Sequence, residues 1–550
     1  MTDAIDLAIV STTILAGASL EAAPGVVAVD DGRIVAVGGP DAVDGWTARA
    51  RRVIDVGDAT VSPGLVDAHI HPILGGDIAR GVDLSGLTHR AAVREALAAH
   101  AAAPGEGWVF GWGLDPAAFE GAEPSHELFD GILDGERVFV TLFDGHAALV
   151  SAAGLDAAGI TGAEEVLGSG FVGVDAAGRP TGMLYEMAAQ ELVRRILPVQ
   201  GFDDRVDDLD VLLRGMAEAG LVAGQMLDLG VPESLDVLEA LEARGELAIR
   251  LRVSPWIMPG ATRADLDGVA ALQGRRGRRW EVRGVKLMMD GTIDNGTAWL
   301  FAPDAHGESL DPLWNDPLEL VAALRYFHEL GIPTATHAIG DRAVAFVARA
   351  ISELEPNGTV HRIEHIETIP DEVLAEVVAS GATTSLQPTH CALYSRADHS
   401  DNWSRRLGAE RANLAWRTGD LRRAGAVVAL GSDWPIAPYD PRATIASAQT
   451  RRPAGRPDVA PIQPRQALSA RAALERYTSE YWRSVGEAGG VIEAGARADL
   501  TVFRDNPLTT APDDFAASPV LLTVVDGDVV VEATGVAPRG EDDAALAVRA

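Results

Sequence analysis

Through the middle of the chain, short apolar runs alternate with Ala- and Leu-rich stretches of helical character, the pattern of parallel βα units. Eight of these runs read as strands: 66–71, 224–228, 249–256, 285–289, 334–337, 360–365, 383–387 and 427–432. Eight parallel strands close a (β/α)8 barrel, so the expected fold class is α/β with a TIM-like barrel. A ninth apolar run, 138–143, does not fit that count. The gap from the first strand to the second is far too long for one βα loop. The ninth run is therefore assigned to an inserted α+β subdomain, residues 74–200, that covers the barrel mouth. Helical stretches at 88–103 and 184–197 belong to this insertion or to its return to the barrel.

The two ends of the chain carry a different pattern. Apolar runs at 26–29 and 33–37 flank Asp30-Asp31-Gly32, which predicts a hairpin with an Asp-Gly turn. The runs at 499–503 and 524–531, the latter broken by Asp526-Gly527, repeat the style. One small β-sandwich domain built from residues 1–60 and 490–540 is expected, around a barrel of residues 61–489. No internal repeat, low-complexity tract or Gly/Ser linker is evident.

Composition narrows the function classes. The chain has 550 residues, 47% hydrophobic and 23% charged, as a globular protein does. With 80 acidic against 46 basic residues its net charge is −34, which argues against nucleic-acid or anionic-membrane partners without identifying a substrate; a small-molecule substrate is expected. The lone cysteine, Cys391, excludes an intramolecular disulfide framework. The amino terminus is acidic where a secretory signal is basic, and no apolar run reaches the roughly 20 residues of a membrane span. A cytoplasmic location is expected.

Chemistry concentrates at the carboxyl ends of the expected strands, where barrel enzymes carry their sites. Ser62-Pro63-Gly64-Leu65-Val66-Asp67-Ala68-His69-Ile70-His71-Pro72 ends in two histidines at i and i+2, which project to one face of a strand. Two neutral imidazoles converging there suit a borderline metal such as zinc. Later strands end in Lys286, His337, His365 and Asp433. Singly, a strand-end histidine is more often a satisfied polar group than a ligand, but four of the chain's 13 histidines fall at strand ends, and together they point to a divalent metal.

A further set surrounds this one. His146, in Asp144-Gly145-His146, is read either as a substrate or oxyanion contact or as part of a structural turn. His390, in Gln387-Pro388-Thr389-His390, has the same two readings, and Asp290 either orients a ligand or makes an Asp-Gly turn. Cys391 is read as an incidental buried thiol. Trp108, Phe110, Trp112, Trp299, Tyr394 and Trp434 are candidates for an apolar pocket, with packing the default role.

The Pro63–His71 string, Thr336-His337-Ala338-Ile339-Gly340-Asp341, His365 and Gly431-Ser432-Asp433 resemble the amidohydrolase superfamily. Gly111-Trp112-Gly113, Gly178-Arg179-Pro180-Thr181-Gly182 and Arg497-Ala498-Asp499-Leu500-Thr501-Val502 are similar to strings of its family 3, the group of N-substituted formamide deformylases and exoenzyme-regulatory homologues. The resemblance spans about residues 10–531. It implies that His69, His71 and Asp433 hold the more buried of two divalent metals, and His337 and His365 the more exposed. Lys286 would bridge them as a carboxylated lysine; an uncarboxylated Lys286 with a single metal is the alternative.

It further implies hydrolysis of an amide, N-substituted formamide or carbamate C–N bond by a metal-activated hydroxide, with Asp433 as general base and then acid. Deamination of a nitrogen heterocycle at a mononuclear site is the competing reading, and a non-catalytic regulatory homologue the remote one. Relatives are often dimers, so a homodimer is implied. The stretch Asp290–Ala298 lacks the arginine that many relatives carry there, which disfavours anionic substrates.

Overall fold

The computed structural model describes residues 4–101, 107–166, 170–229 and 233–533. The last two positions of the helix expected at 88–103 and positions 534–540 of the expected terminal domain lie outside the described residues.

Both ends of the chain build one sheet. Ile5–Ala16, Glu21–Asp30, Arg33–Gly38, Ala50–Asp55 and Thr60–Pro63 join Leu500–Phe503, Val520–Val525 and Asp528–Glu532 in a single eight-stranded array. The seam is Thr60–Pro63, parallel to the first strand and antiparallel to Leu500–Phe503. Ile9, Val27 and Val29 from one end pack with Val502, Leu522 and Val524 from the other. Two hairpins in this sheet turn on Asp-Gly pairs, Asp31-Gly32 and Asp526-Gly527. All four residues have positive φ, as a two-residue turn between right-twisted strands requires.

Eight parallel strands form the barrel, in the order Leu65–Ile70, Leu221–Leu229, Arg250–Ile257, Val285–Met288, Thr334–Ala338, Arg362–His365, Thr383–Leu386 and Val428–Leu430. The first and last meet through a parallel bridge between Ile70 and Trp434, with His71 N–H donating to Trp434 O at 3.0 Å and Asp433 N–H to His69 O at 2.8 Å. The eighth strand is shorter than the expected 427–432. Beyond Leu430 the chain leaves the ladder, and Ser432 N–H turns to the Asp67 carboxylate at 3.0 Å.

The ninth apolar run is strand Val138–Leu142 of a separate six-stranded sheet, inserted between the first two barrel strands. The helix expected at 184–197 is observed as Glu186–Arg194, because Leu184 and Tyr185 complete strand Pro180–Tyr185 opposite Ala148 and Ala147. Among the described residues no helix is long and apolar enough to cross a membrane.

Candidate metal centre

The site grows from the carboxyl ends of the barrel strands. On the first strand the period of two sends Asp67, His69 and His71 to the same side, and the first two are fully buried. Asp67 accepts from His69 N–H and Ser432 N–H, stapling the first strand to the eighth. Burial raises its carboxyl to about 7. Gly431 permits this closeness: a Cβ there would stand 2.7 Å from His69 N and 2.8 Å from Asp67 Oδ1. Gly431→Ala must therefore push the strand ends apart. The expected cost is about 1–3 kcal/mol, with loss of bound metal. Thermal unfolding and metal analysis would test it, and a parental midpoint with full metal content would refute it.

His69, His71, Lys286, His337, His365 and Asp433 come together. Asp433 Oδ1 lies 3.0 Å from His71 Nε2 and 3.4 Å from His69 Nε2. Lys286 Nζ lies 3.3 Å from His69 Nε2. The rings of His69 and His365 are 4.8 Å apart, and those of His365 and His337 4.4 Å. Ligand atoms of His69, His365 and Asp433 all fall within 4.8 Å of one another.

Outer partners orient these rings. His69 Nδ1 is 2.9 Å from Glu364 Oε2, and His365 Nδ1 is 3.1 Å from Gln387 Oε1, so each Nδ1–H donates outward and leaves Nε2 facing the centre. His337 Nε2 lies 3.2 Å from Gly291 O, which leaves its Nδ1. Burial, reinforced by the Lys286 charge, holds His69 and His365 well below the usual imidazole range. Burial, with the His146 charge beside it, does the same to His337. These three rings are neutral and carry lone pairs.

The donor set fits a divalent cation. Asp433 Oδ1 is buried and makes no directed hydrogen bond, although imidazole nitrogens stand close to it. The His69 Nε2 lone pair, 3.4 Å from that carboxylate oxygen, needs a positive charge between the two. Lys286, buried beside them, is lowered to about 8 by that burial against the pull of Glu364 and Asp433. Such an amine is available to react with carbon dioxide.

His146 and His390 stand at the same cavity. His146 follows a turn with Gly145 at φ 72°, its N–H bonded to Asp144 Oδ1 at 3.1 Å, so it is both part of a turn and a wall of the site. Burial opposes its charge, but Glu186 Oε2, 2.9 Å from Nδ1, outweighs burial and lifts the imidazole to about 9. His390 Nε2 lies 3.7 Å from Asp433 Oδ2. Asp290 Oδ1 lies 3.7 Å from His337 Nε2, beyond hydrogen-bond distance. Asp290 accepts from the N–H groups of Trp299, Ile339 and Gly340, pinning the loops after two strands. Cys391 is a free, buried thiol.

The cavity above the cluster has walls of Phe143, Trp256, Tyr394 and Trp416, with Asp144, Asp294 and Glu367 and, among the described residues, no arginine. Of the aromatics singled out in the sequence only Tyr394 lines it, while Trp299 is buried in the barrel core. Glu364, Gln387, Glu186 and Asp228 were not anticipated. Glu364 had a signal, since it alternates with Arg362 on one face of a strand; Asp67 had the same one beside His69. Glu186 had none, because only the insertion brings it to His146. Asp228, at the end of the second barrel strand, accepts from Ile73 and Leu74 N–H and fixes the loop after His71.

Residues 52–531 match the model of the amidohydrolase family. The chain is 26% identical to N-substituted formamide deformylase of Arthrobacter pascens, over 97% of this chain and all of that one. Its structure is similar to that of a metal-dependent hydrolase from Pyrococcus horikoshii OT3, with TM-score 0.71, 23% identity, and coverage of 92% and 99% of the two chains. It is also similar to atrazine chlorohydrolase TrzN from Arthrobacter aurescens TC1 complexed with zinc, with TM-score 0.54, 15% identity, and coverage of 96% and 95%.

Proposed function

The chain belongs to the amidohydrolase family, and from there we propose that it is a metal-dependent hydrolase cleaving the C–N bond of an uncharged amide, N-substituted formamide or carbamate. The carrying observation is the buried Asp433 Oδ1, which stands 3.4 Å from Nε2 of the neutral His69 ring and 3.0 Å from His71 Nε2 without a directed hydrogen bond. His69, His71 and Asp433 would hold one cation, probed first as zinc, and His337 and His365 a second. Lys286 would bridge the two after its free amine adds to carbon dioxide, forming a carbamate and releasing one proton. A bound divalent cation supplies Lewis-acid polarisation of a carbonyl and acidifies a water.

The chain's own groups do the rest. Asp433 takes the proton of the attacking water on a carboxylate oxygen and passes it to the leaving nitrogen. His146, kept protonated by Glu186, donates to the carbonyl oxygen as it gains charge. His390, beside Asp433, contacts the substrate at the same wall. The aromatic walls exclude water, and the described lining offers no arginine to pair with an anionic substituent. The activity printed for the Arthrobacter pascens relative supports formamides as the first class to try.

Chelation is expected to abolish amine release from an aryl-substituted formamide, and added Zn2+ to restore it. Full activity after chelation would sink the metal reading. A panel pairing neutral amides with carboxylate-bearing ones tests the substrate class, which fails if the carboxylates are the better substrates. Release of ammonia from a heterocycle in place of amide cleavage would overturn the reaction type.

A further inference from the structure

A second cavity adjoins the first, on the insertion side of the barrel, and Ile78 lines both. Among the described residues its charged lining is Arg80, Arg194 and Arg205 with the carboxylate of Asp77, and its apolar floor includes Phe110 and Phe139. A positively charged lining is unexpected in a chain of net charge −34.

Two of these guanidiniums lack a full complement of partners. Arg194, the last residue of helix Glu186–Arg194, turns Nε and Nη2 to one oxygen, Gln190 Oε1, at 3.4 and 3.2 Å. Among the described residues no carboxylate lies within ion-pair distance of it, although Asp77 and Glu191 attract its charge from farther off, and its guanidinium sits 5.3 Å from the Phe139 ring centroid. Arg205, near the start of helix Phe202–Glu218, pairs through Nη2 with Glu233. Its side chain is only 10% exposed, and its Nε is buried without a hydrogen-bond partner. Arg80 donates to Pro198 O at 3.0 Å and lies over the Phe110 ring at 4.3 Å. Desolvating guanidinium groups without matching acceptors is costly, and an anion in the cavity offsets that cost. Planar forks beside aromatic faces fit a carboxylate that carries an apolar group better than a bare spherical anion.

We propose that this cavity binds an organic carboxylate with an apolar tail, at a site separate from the metal centre. It is wired to that centre by one chain of contacts. Gln190, which receives Arg194, donates from Nε2 to Gly145 O at 3.1 Å, and Gly145 belongs to the turn that carries His146. A carboxylate that draws Arg194 off Gln190 changes the support of that turn. The ligand comes either from hydrolysis of an amide whose acyl part bears the tail or from an unrelated acid, and both present the same chemistry.

Isothermal titration of the metal-loaded protein tests this, with benzoate, formate and inorganic phosphate as probes. Benzoate is expected to bind one site, with Kd weakened about tenfold or more in Arg194→Gln and in Arg205→Gln. Asp433→Asn is expected to leave that Kd unchanged. The two arginines stand on different helices, and thermal midpoints report whether either variant is misfolded. The readout is binding, so failure of the hydrolysis reading leaves the result interpretable. Unchanged affinity in both arginine variants, loss of binding in Asp433→Asn, or absence of benzoate binding would overturn the proposal. Formate or phosphate binding as tightly as benzoate would overturn the part assigned to the apolar tail.

Discussion

Replacing Asp433 with Asn is expected to lower kcat for amide cleavage by about 10²- to 10⁴-fold, the range spanned by a positioned proton-transfer group. Asn is the informative substitution for a conformational reason. Asp433 sits at φ 61°, in the left-handed region, where Asn is among the few side chains tolerated at low cost. Ala or Leu there would add backbone strain to the lost carboxylate and confuse two effects. The amide has nearly the same volume and keeps an oxygen toward His71, but it cannot take a proton from water at neutral pH. Burial pushes the Asp433 carboxyl upward, yet the adjacent His71 side chain, with His390 and Lys286, brings it below its ordinary value. It therefore starts the cycle ionised, as a base must. Rates with metal content measured on the same sample decide the matter. A loaded Asp433→Asn enzyme with parental kcat would remove the proton shuttle from the mechanism.

Glu364→Ala is the variant for which the largest structural penalty is expected. Glu364 is fully buried between Arg362 and His69, with Oε1 accepting from Arg362 Nε and Oε2 from His69 Nδ1. Arg362 is itself buried and donates from Nη2 to Ala68 O at 2.9 Å, so it cannot swing to solvent. Removing the carboxylate strands a buried guanidinium, which costs about 3–5 kcal/mol. It also frees the His69 ring to change tautomer, and loss of such an outer partner weakens metal binding by about 10- to 100-fold.

Glu364→Gln separates these terms. The amide oxygen keeps a hydrogen bond to one neighbour but not the charge that balances Arg362. The thermal midpoint should fall in both variants and further in Ala, with metal affinity following the same order in a competition titration. An unchanged midpoint in Glu364→Ala would show that Arg362 is neutralised by something other than this contact.

Strand count, chain order and the residue types at the strand ends were legible in the sequence because they follow from local rules. Side chains at i and i+2 share a face, so His69-x-His71 announces two imidazoles on one side wherever the strand lies. Asp-Gly pairs permit two successive positive φ angles, and both such pairs in the terminal sheet form the turns expected of them. An apolar run at 138–143 is likewise recognisable as a strand, and the spacing alone places it outside the barrel count. Helix edges were less legible: Leu184 and Tyr185 read as helical until pairing with Ala148 and Ala147 claims them for a sheet.

What only the tertiary structure decided is which groups meet across hundreds of residues. Glu364 and His69 are 295 positions apart, and Glu186 reaches His146 through the inserted sheet. No local period encodes such distances. The protonation states depend on the same assembly, since neutral imidazoles and a lowered Lys286 arise from desolvation, which exists only once the barrel has closed. The sequence by itself determined which histidines, lysine and aspartate end the barrel strands. The closed barrel decided their tautomers, their charges and the arginine-free cavity above them, because each of these is a property of burial and not of order along the chain.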